Sequence, residues 1–400
     1  MGRCATVKPL VLHIVHSVSP GGTERVLASL TAALSRRGTR HAVCALRRLG
    51  RLSDTFDSSV NVFTLGARGA DRLLFRRLAR VIASLKPAIV HARNWGTWTD
   101  AALAVRSAPR SAPPTRLLLG FQGLQQGTGF NRLQRVRALA LGFRRLPAAT
   151  VSQAARDVLV RDLGCDADRV TVIGNGVDLD HFHRPDAARR AEARRRFGVS
   201  PDDFVIVSTG ALKPVKRHEL MIRSLSGVIQ RHHATRLLLA GYGTTKPQLE
   251  RLVRSMGLEA HVRFVGWIDD VRDVLSCADA YLCASRFEGM SNSLIEAMAT
   301  GLACVVTDVS DHRAMFASVD PEAVVAVDDV SAMTDRLLRL ANAPSLRARV
   351  ARRARRYIES AHDFQATVDG YDRLYHRLIG SSSPRSRPPG GSARRKIAPA

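Results

Sequence analysis

The chain has 400 residues, enough for two domains of ordinary size, each with its own core. Its 45% hydrophobic content and mean hydropathy of −0.07 belong to a soluble globular protein, and no apolar run reaches the ~18 residues a bilayer span needs. Lysine and arginine number 61 against 35 acidic residues, a net charge of +26, which fits an anionic membrane surface; no aromatic-interleaved basic motif supports nucleic acid.

In chain order, Leu10–Val18 is short, contains His13 and His16, and leads into a glycine turn, so it reads as a first strand (Val11–Val15) and not as a signal peptide. Met1-Gly2 with Thr6 fits the myristoylation pattern, but a strand begins at once and no lipid anchor is assigned. After Gly21-Gly22, the segment Glu24–Arg36 places Val26, Leu27, Leu30 and Leu34 on one helical face. Strands Ala42–Leu46 and Val60–Leu65, helix Asp71–Leu85, and strands Ala88–His91, Leu117–Phe121 and Thr150–Ser152 follow. Within this series Arg132–Leu146 reads as a basic helix with Leu133, Val136, Ala140 and Phe143 on one side, the pattern of an interfacial helix or of a packed helix with a charged outer face. Such alternation implies a doubly wound parallel sheet.

Asp178 to Asp186 is the expected hinge between a first domain over 1–180 and a second over 185–360. The second opens with a polar helix, Ala187–Phe197, and continues with strands Phe204–Ser208, Arg236–Ala240, Val262–Phe264, Ala280–Ala284, Ala303–Val306 and Val324–Val327. Leu346–Glu359 reads as helix, and Phe364–Ile379 as another with Phe364, Val368, Tyr371 and Tyr375 in one stripe. Residues 380–400 are rich in Ser, Pro, Gly and Arg, with no apolar stripe, and read as a disordered basic tail. The six cysteines form no C-x-x-C pair and several sit in apolar runs, which favours buried thiols and a reducing cytoplasm. Asp178-Leu179-Asp180 has a D-x-D spacing but falls inside the hinge turn. The 13 histidines show no H-E-x-x-H motif, so neither metal nor cofactor is expected.

The most informative segment is Phe287-Glu288-Gly289-Met290-Ser291-Asn292-Ser293-Leu294-Ile295-Glu296. Apolar runs on either side make it strand, loop, helix, strand, with Glu288 on the loop and Glu296 about two turns into the helix. Gly289 admits a ligand close to the backbone. The amides of Met290, Ser291 and Asn292 open a helix whose N-terminus attracts phosphate. A diphosphate docked there leaves each carboxylate free to accept hydrogen bonds from sugar hydroxyls.

This pattern resembles the retaining glycosyltransferases of family 4, which have the GT-B fold. Further landmarks occur in the expected order: Gly21 to Arg25, Asn175-Gly176-Val177-Asp178, Gly210 to Lys216, Gly241-Tyr242-Gly243 and Phe264-Val265-Gly266. The likeness runs from Val11 to Leu378 and implies two Rossmann-like domains with a cleft between them, the helix 362–379 crossing back onto the first. It implies Glu288 at the donor sugar's hydroxyls, Glu296 at the ribose, Lys216 at the diphosphate, and Gly21 and Gly22 in a loop near the phosphate. Two positions depart from the family pattern. Ala211 stands where an arginine usually follows the glycine, leaving Lys213 or Arg217 to supply the second cation. Gln122 takes the place of a histidine beside the reacting sugar, where it can hydrogen-bond but cannot become cationic. The resemblance implies a UDP- or GDP-sugar donor, a saccharide or lipid-linked acceptor, and a cytoplasmic enzyme of surface polysaccharide or glycolipid synthesis, peripheral to the inner face of the membrane. A nucleotide-sugar epimerase and a donor-binding protein weakened in turnover are the alternatives.

Overall fold

The computed structural model describes residues 8–19, 21–69, 71–109, 114–123 and 129–380. The amino-terminal methionine-glycine motif, Cys4 and positions 381–400 of the basic tail lie outside the described residues. The first domain contains β1 (Leu10–Val15), α1 (Gly22–Arg36), β2 (Arg40–Ala45), β3 (Asn61–Thr64), α2 (Leu74–Leu85) and β4 (Ile89–Ala92). It continues with α3 (Trp95–Ser107), β5 (Arg116–Phe121), α4 (Arg132–Ala140), β6 (Ala148–Thr150), α5 (Gln153–Leu163) and β7 (Val170–Val172). The second domain contains α6 (Ala187–Arg196), β8 (Phe204–Thr209), α7 (His218–Ile229), β9 (Thr235–Ala240), α8 (Lys246–Ser255), β10 (Val262–Gly266) and α9 (Arg272–Ser276). After these come β11 (Ala280–Cys283), α10 (Asn292–Ala299), β12 (Ala303–Thr307), α11 (His312–Phe316), β13 (Val324–Val325), α12 (Val330–Asn342), α13 (Pro344–Ala361) and finally α14 (Phe364–Gly380).

The strands form two parallel sheets, ordered β3-β2-β1-β4-β5-β6-β7 and β10-β9-β8-β11-β12-β13. Both are doubly wound. Central strands such as β1 (LVLHIV) and β8 (FVIVST) are buried along their whole length, as helices on both faces of a parallel sheet require. Strand order reverses between β1 and β4 in the first sheet and between β8 and β11 in the second. Crevices beyond the carboxyl ends of strands at such switch points are where α/β folds bind ligands.

The last helix returns to the first domain. Val368, Tyr371, Leu374 and Tyr375 of α14 are buried with Val11, Leu30, Ile89, Leu118 and Ile173. Arg37 pairs with Asp369 at 2.5 Å, and Val177 bridges to Asp363 in parallel. Beneath this helix three buried histidines, His13, His41 and His91, share one face of the sheet with Arg93. Burial holds His13 and His91 well below the usual histidine range and His41 down to about 4, so all three are neutral at pH 7. The Tyr375 hydroxyl lies 2.9 Å from His91 Nδ1.

Several expectations need correction. The strand expected at Thr150–Ser152 is Ala148–Thr150, Ser152 being the N-cap of α5, and the edge strand β7 was not expected. The basic helix stops at Ala140 and the chain turns through Gly142, so Phe143 is buried on a short 3-10 turn while Leu133, Val136 and Leu139 face solvent. The final strand of the second sheet is Val324–Val325 alone. Glu296 is the fifth residue of α10, little more than one turn in.

Candidate functional site

At the second switch point, the loops after β8, β9 and β11 meet. A Cβ on Gly241 would overlap the Gly210 carbonyl oxygen, so only glycine lets these two loops lie against each other. Leu212 N donates to Tyr242 O at 2.9 Å, and Arg286 N donates to Val215 O at 2.8 Å. The 3-10 turn Pro214–Lys216, with proline at its start, is thereby fixed next to the loop carrying Glu288.

Lys216 Nζ lies 2.5 Å from Glu288 Oε1, and Ser285 Oγ donates to the same oxygen at 2.6 Å. Burial pushes the Glu288 carboxyl up, but the Lys216 ammonium and the bonds from Lys216 and Ser285 outweigh it and hold it below the usual value. Burial likewise pulls Lys216 down, and Glu288 more than restores it. Both are therefore charged at neutral pH. A cavity of about 650 Å³ opens beside them, lined by Arg286, Phe287, Glu288, Asp308, Val309, Ser310 and Val327. That volume lies within the range of small-molecule sites.

The helix beyond the loop opens toward the other domain. Ser291 stands at the N-cap of α10 with no side-chain cap bond, its hydroxyl 3.2 Å from that of Ser293. Asn292 Oδ1 accepts from Asn175 Nδ2 at 2.8 Å, and Met290 Sδ accepts from Asn175 N at 3.1 Å. Gly22, at the start of α1, lies so close that a Cβ there would be 2.9 Å from Asn292 Nδ2. Gly21 is the N-cap of α1. Burial raises the Glu296 carboxyl to about 7, with Arg25 of α1 pulling the other way. Arg25 also reaches the Asp269 carbonyl at 3.2 Å and stacks 5.2 Å over the Trp267 ring. Trp267 and Tyr242 are both exposed, their ring centroids 5.7 Å apart.

From the first domain the end of β5 comes up against the Glu288 loop. A Cβ on Gly289 would overlap the carbonyl oxygen of Gln122, and one on Gly123 would be 2.9 Å from Gly289 Cα. It is the main chain of Gln122 that meets this loop. Lys213 is exposed, and its charge pulls on Glu24 of α1 against the burial that raises that carboxyl. Arg217 is engaged by Glu219 and by Asp328 at 2.8 Å.

The structure thus assembles Lys216, Glu288, Gly289, Met290, Ser291, Asn292 and Glu296 along one edge of the second domain, with Gly22, Arg25 and Gln122 facing them. The sequence marks Asn175 only as a landmark, yet its side chain ties the segment before the hinge to Asn292. Sequence reasoning also passed over Arg93, buried just beyond β4 at the first switch point, and the pair Ser310-Asp311. None of these carries a local signal: Asn175 and Asp311 act through contacts more than 100 residues away, Arg93 through burial, and Ser310 through a carbonyl 21 residues back. Among the described residues no group of three or more His, Cys, Asp or Glu could hold a metal ion.

Two family patterns cover the chain. The one described as Glycosyltransferase Family 4 matches residues 20–181, and Glycosyl transferases group 1 matches residues 203–343. EpsF of Bacillus subtilis (strain 168), which carries a glycosyltransferase name, is 25% identical over 74% of this chain and 79% of its own length. D-inositol 3-phosphate glycosyltransferase 2 of Catenulispora acidiphila is 32% identical over 58% of this chain, which spans 57% of that relative. In structure, Anabaena HepE in complex with UDP-glucose superposes with a TM-score of 0.78 at 18% identity, over 91% of this chain and 99% of that one. Two sheets with their switch points facing, matched domain by domain, place the chain in the group 1, family 4 glycosyltransferases of the GT-B fold.

Proposed function

We propose that this glycosyltransferase moves a hexosyl unit from a nucleoside diphosphate sugar to a hydroxyl of a saccharide or lipid-linked acceptor, with retention at the anomeric carbon. The observation that carries the reading is the Lys216–Glu288 pair at the switch point, set beside the open N-terminus of α10. Lys216, Lys213 and the first amides of α10 would hold the diphosphate. Glu288 would accept from the sugar's hydroxyls and Glu296 from the ribose. The acceptor attacks from the face the diphosphate leaves, and the departing phosphate oxygen takes the acceptor's proton. The protein contributes position and stabilisation of the leaving group's charge. UDP-sugars are the first donors to test. Relatives bear on that choice by name: an Escherichia coli enzyme 22% identical is a UDP-Gal galactosyltransferase acting on a diphosphoundecaprenol-linked sugar, and HepE was solved with UDP-glucose.

A thermal-shift screen across UDP-, GDP-, ADP- and dTDP-sugars, followed by NMR of the product's anomeric configuration, tests this. At ~100 times its Kd a donor stabilises the fold by about 2.7 kcal/mol. An inverted product, epimerised donor in the absence of acceptor, or binding without transfer to any acceptor would overturn the reading.

Peripheral attachment to an anionic membrane fits the same enzyme. Leu133, Val136 and Leu139 of α4 are 67%, 56% and 60% exposed, and Arg132, Arg135 and Arg137 surround them. No helix among the described residues is long and apolar enough to cross a membrane. Flotation with vesicles of anionic lipid, lost when the three apolar residues become serine, is the expected result.

A further inference from the structure

Asp311 stands at the N-cap of α11, where an aspartate commonly turns back to cap its own helix, but it makes no such bond. Its carboxylate instead reaches the other domain. Oδ2 accepts from Gln153 N at 2.8 Å and Oδ1 accepts from Ala154 N at 2.9 Å. These are the first two amides of α5. The third, Ala155 N, is taken by the Ser152 hydroxyl at 3.1 Å. The second domain therefore completes the cap of a helix in the first, where the helix dipole also favours a negative charge. The neighbouring residue connects this contact to the donor loop. Ser310 is held at φ +53°, and its hydroxyl donates to the Gly289 carbonyl at 2.6 Å. Gly289 in turn abuts the Gln122 main chain.

We propose that Asp311 is a positioning residue for sugar transfer: by capping α5 across the cleft, it sets the acceptor-side domain in register with the Glu288 loop. The inference rests on the transfer reading above. Asp311 touches neither substrate nor reacting atoms in this account. Its loss should leave the donor's own pocket on the second domain intact while loosening the approach of the first.

Two variants test it from opposite sides. Asp311→Asn replaces one accepting oxygen with a donor and removes the charge. Gln153→Pro deletes one of the two donated amides without touching the second domain, at a first helical position where proline is tolerated and after an extended Ser152. Both variants should show a larger radius of gyration by small-angle X-ray scattering, unchanged circular dichroism, and donor Kd within about threefold of the parent chain. Turnover should fall roughly tenfold or more, since small misplacements of reacting groups are costly. Asp311→Glu, which keeps the carboxylate, should recover part of that loss. Parental scattering from both variants overturns the proposal, and so does parental turnover in an expanded particle. The scattering comparison needs no substrate. If no donor is ever turned over, the transfer reading fails while the interdomain cap is still decided.

Discussion

Glu288 and Lys216 hold each other's charge at 2.5 Å, so a variant of one changes the setting of the other. Glu288→Gln keeps the side chain's volume and the hydrogen bond with Ser285 but leaves Lys216 without its counter-ion. If Glu288 aligns the donor sugar, turnover in this variant should fall on the order of 10²-fold or more, with circular dichroism unchanged. Near-parental turnover would remove the assignment. Glu296 offers a different handle, because burial lifts its carboxyl from 4.5 to about 7. A folded-state value above the unfolded one means the protonated group favours the fold at low pH, and that contribution fades as pH rises through about 7. Ribose hydroxyls donate more strongly to a carboxylate than to a carboxylic acid. Donor affinity should therefore climb as pH rises toward and through 7, by at most about tenfold per pH unit, and then level. Calorimetric titration of donor across that range checks it, and Glu296→Gln should flatten the profile. A flat profile in the parent chain would separate Glu296 from the ribose.

At the level of elements, the Glu288 loop is positioned by contact between two main chains, which makes Gly289 the most sensitive position outside the charged pair. A methyl group there meets the Gln122 carbonyl oxygen, so Gly289→Ala must push the end of β5 away from the loop preceding α10. The expected outcome is a loss of turnover larger than any loss of melting temperature, read by parallel rate and thermal measurements. Equal losses would mean ordinary packing damage. Most strands and the Glu288 motif were legible because parallel sheets buried on both faces leave long apolar runs, and because a loop-helix with two acids is a local signal; the three-residue edge strand β7, with Val172 exposed, leaves no such run. The helix α3 was not, since it begins Trp95-Gly96-Thr97-Trp98, with a glycine and a β-branched residue in its first turn. The basic helix was read too long because Phe143 kept the helical period past the turn at Gly142, although its ring packs in the core and not on the exposed face. The contacts of Asp311 and Asn175 could not be read, because their partners are set by how the two domains meet and no spacing along the chain encodes that.

Across the whole molecule the chain leaves the first domain at β7, builds the second, and comes back as α14. The first sheet is therefore complete only when the last helix has arrived. Val368, Tyr371, Leu374 and Tyr375 are each no more than 4% exposed, and they cover Val11, Ile89 and Leu118 as well as the neutral histidines. Burying four such side chains contributes roughly 1.5–3 kcal/mol apiece, about 6–12 kcal/mol together as an upper estimate. That is comparable with the entire stability of an ordinary domain. A chain that stops after Asp180 would keep all seven strands of the first sheet and still lack this cover, leaving an apolar face open around His13, His41 and His91. Such a fragment should bind a hydrophobic dye, run as large species on size exclusion, and melt without a cooperative transition. Supplying residues 362–380 as a separate peptide should restore a cooperative melt. If the fragment alone melts cooperatively as a monomer, then α14 only decorates the first domain. If it does not, the first domain folds only once α14 is supplied, and in the intact chain that helix is reached only after the second domain.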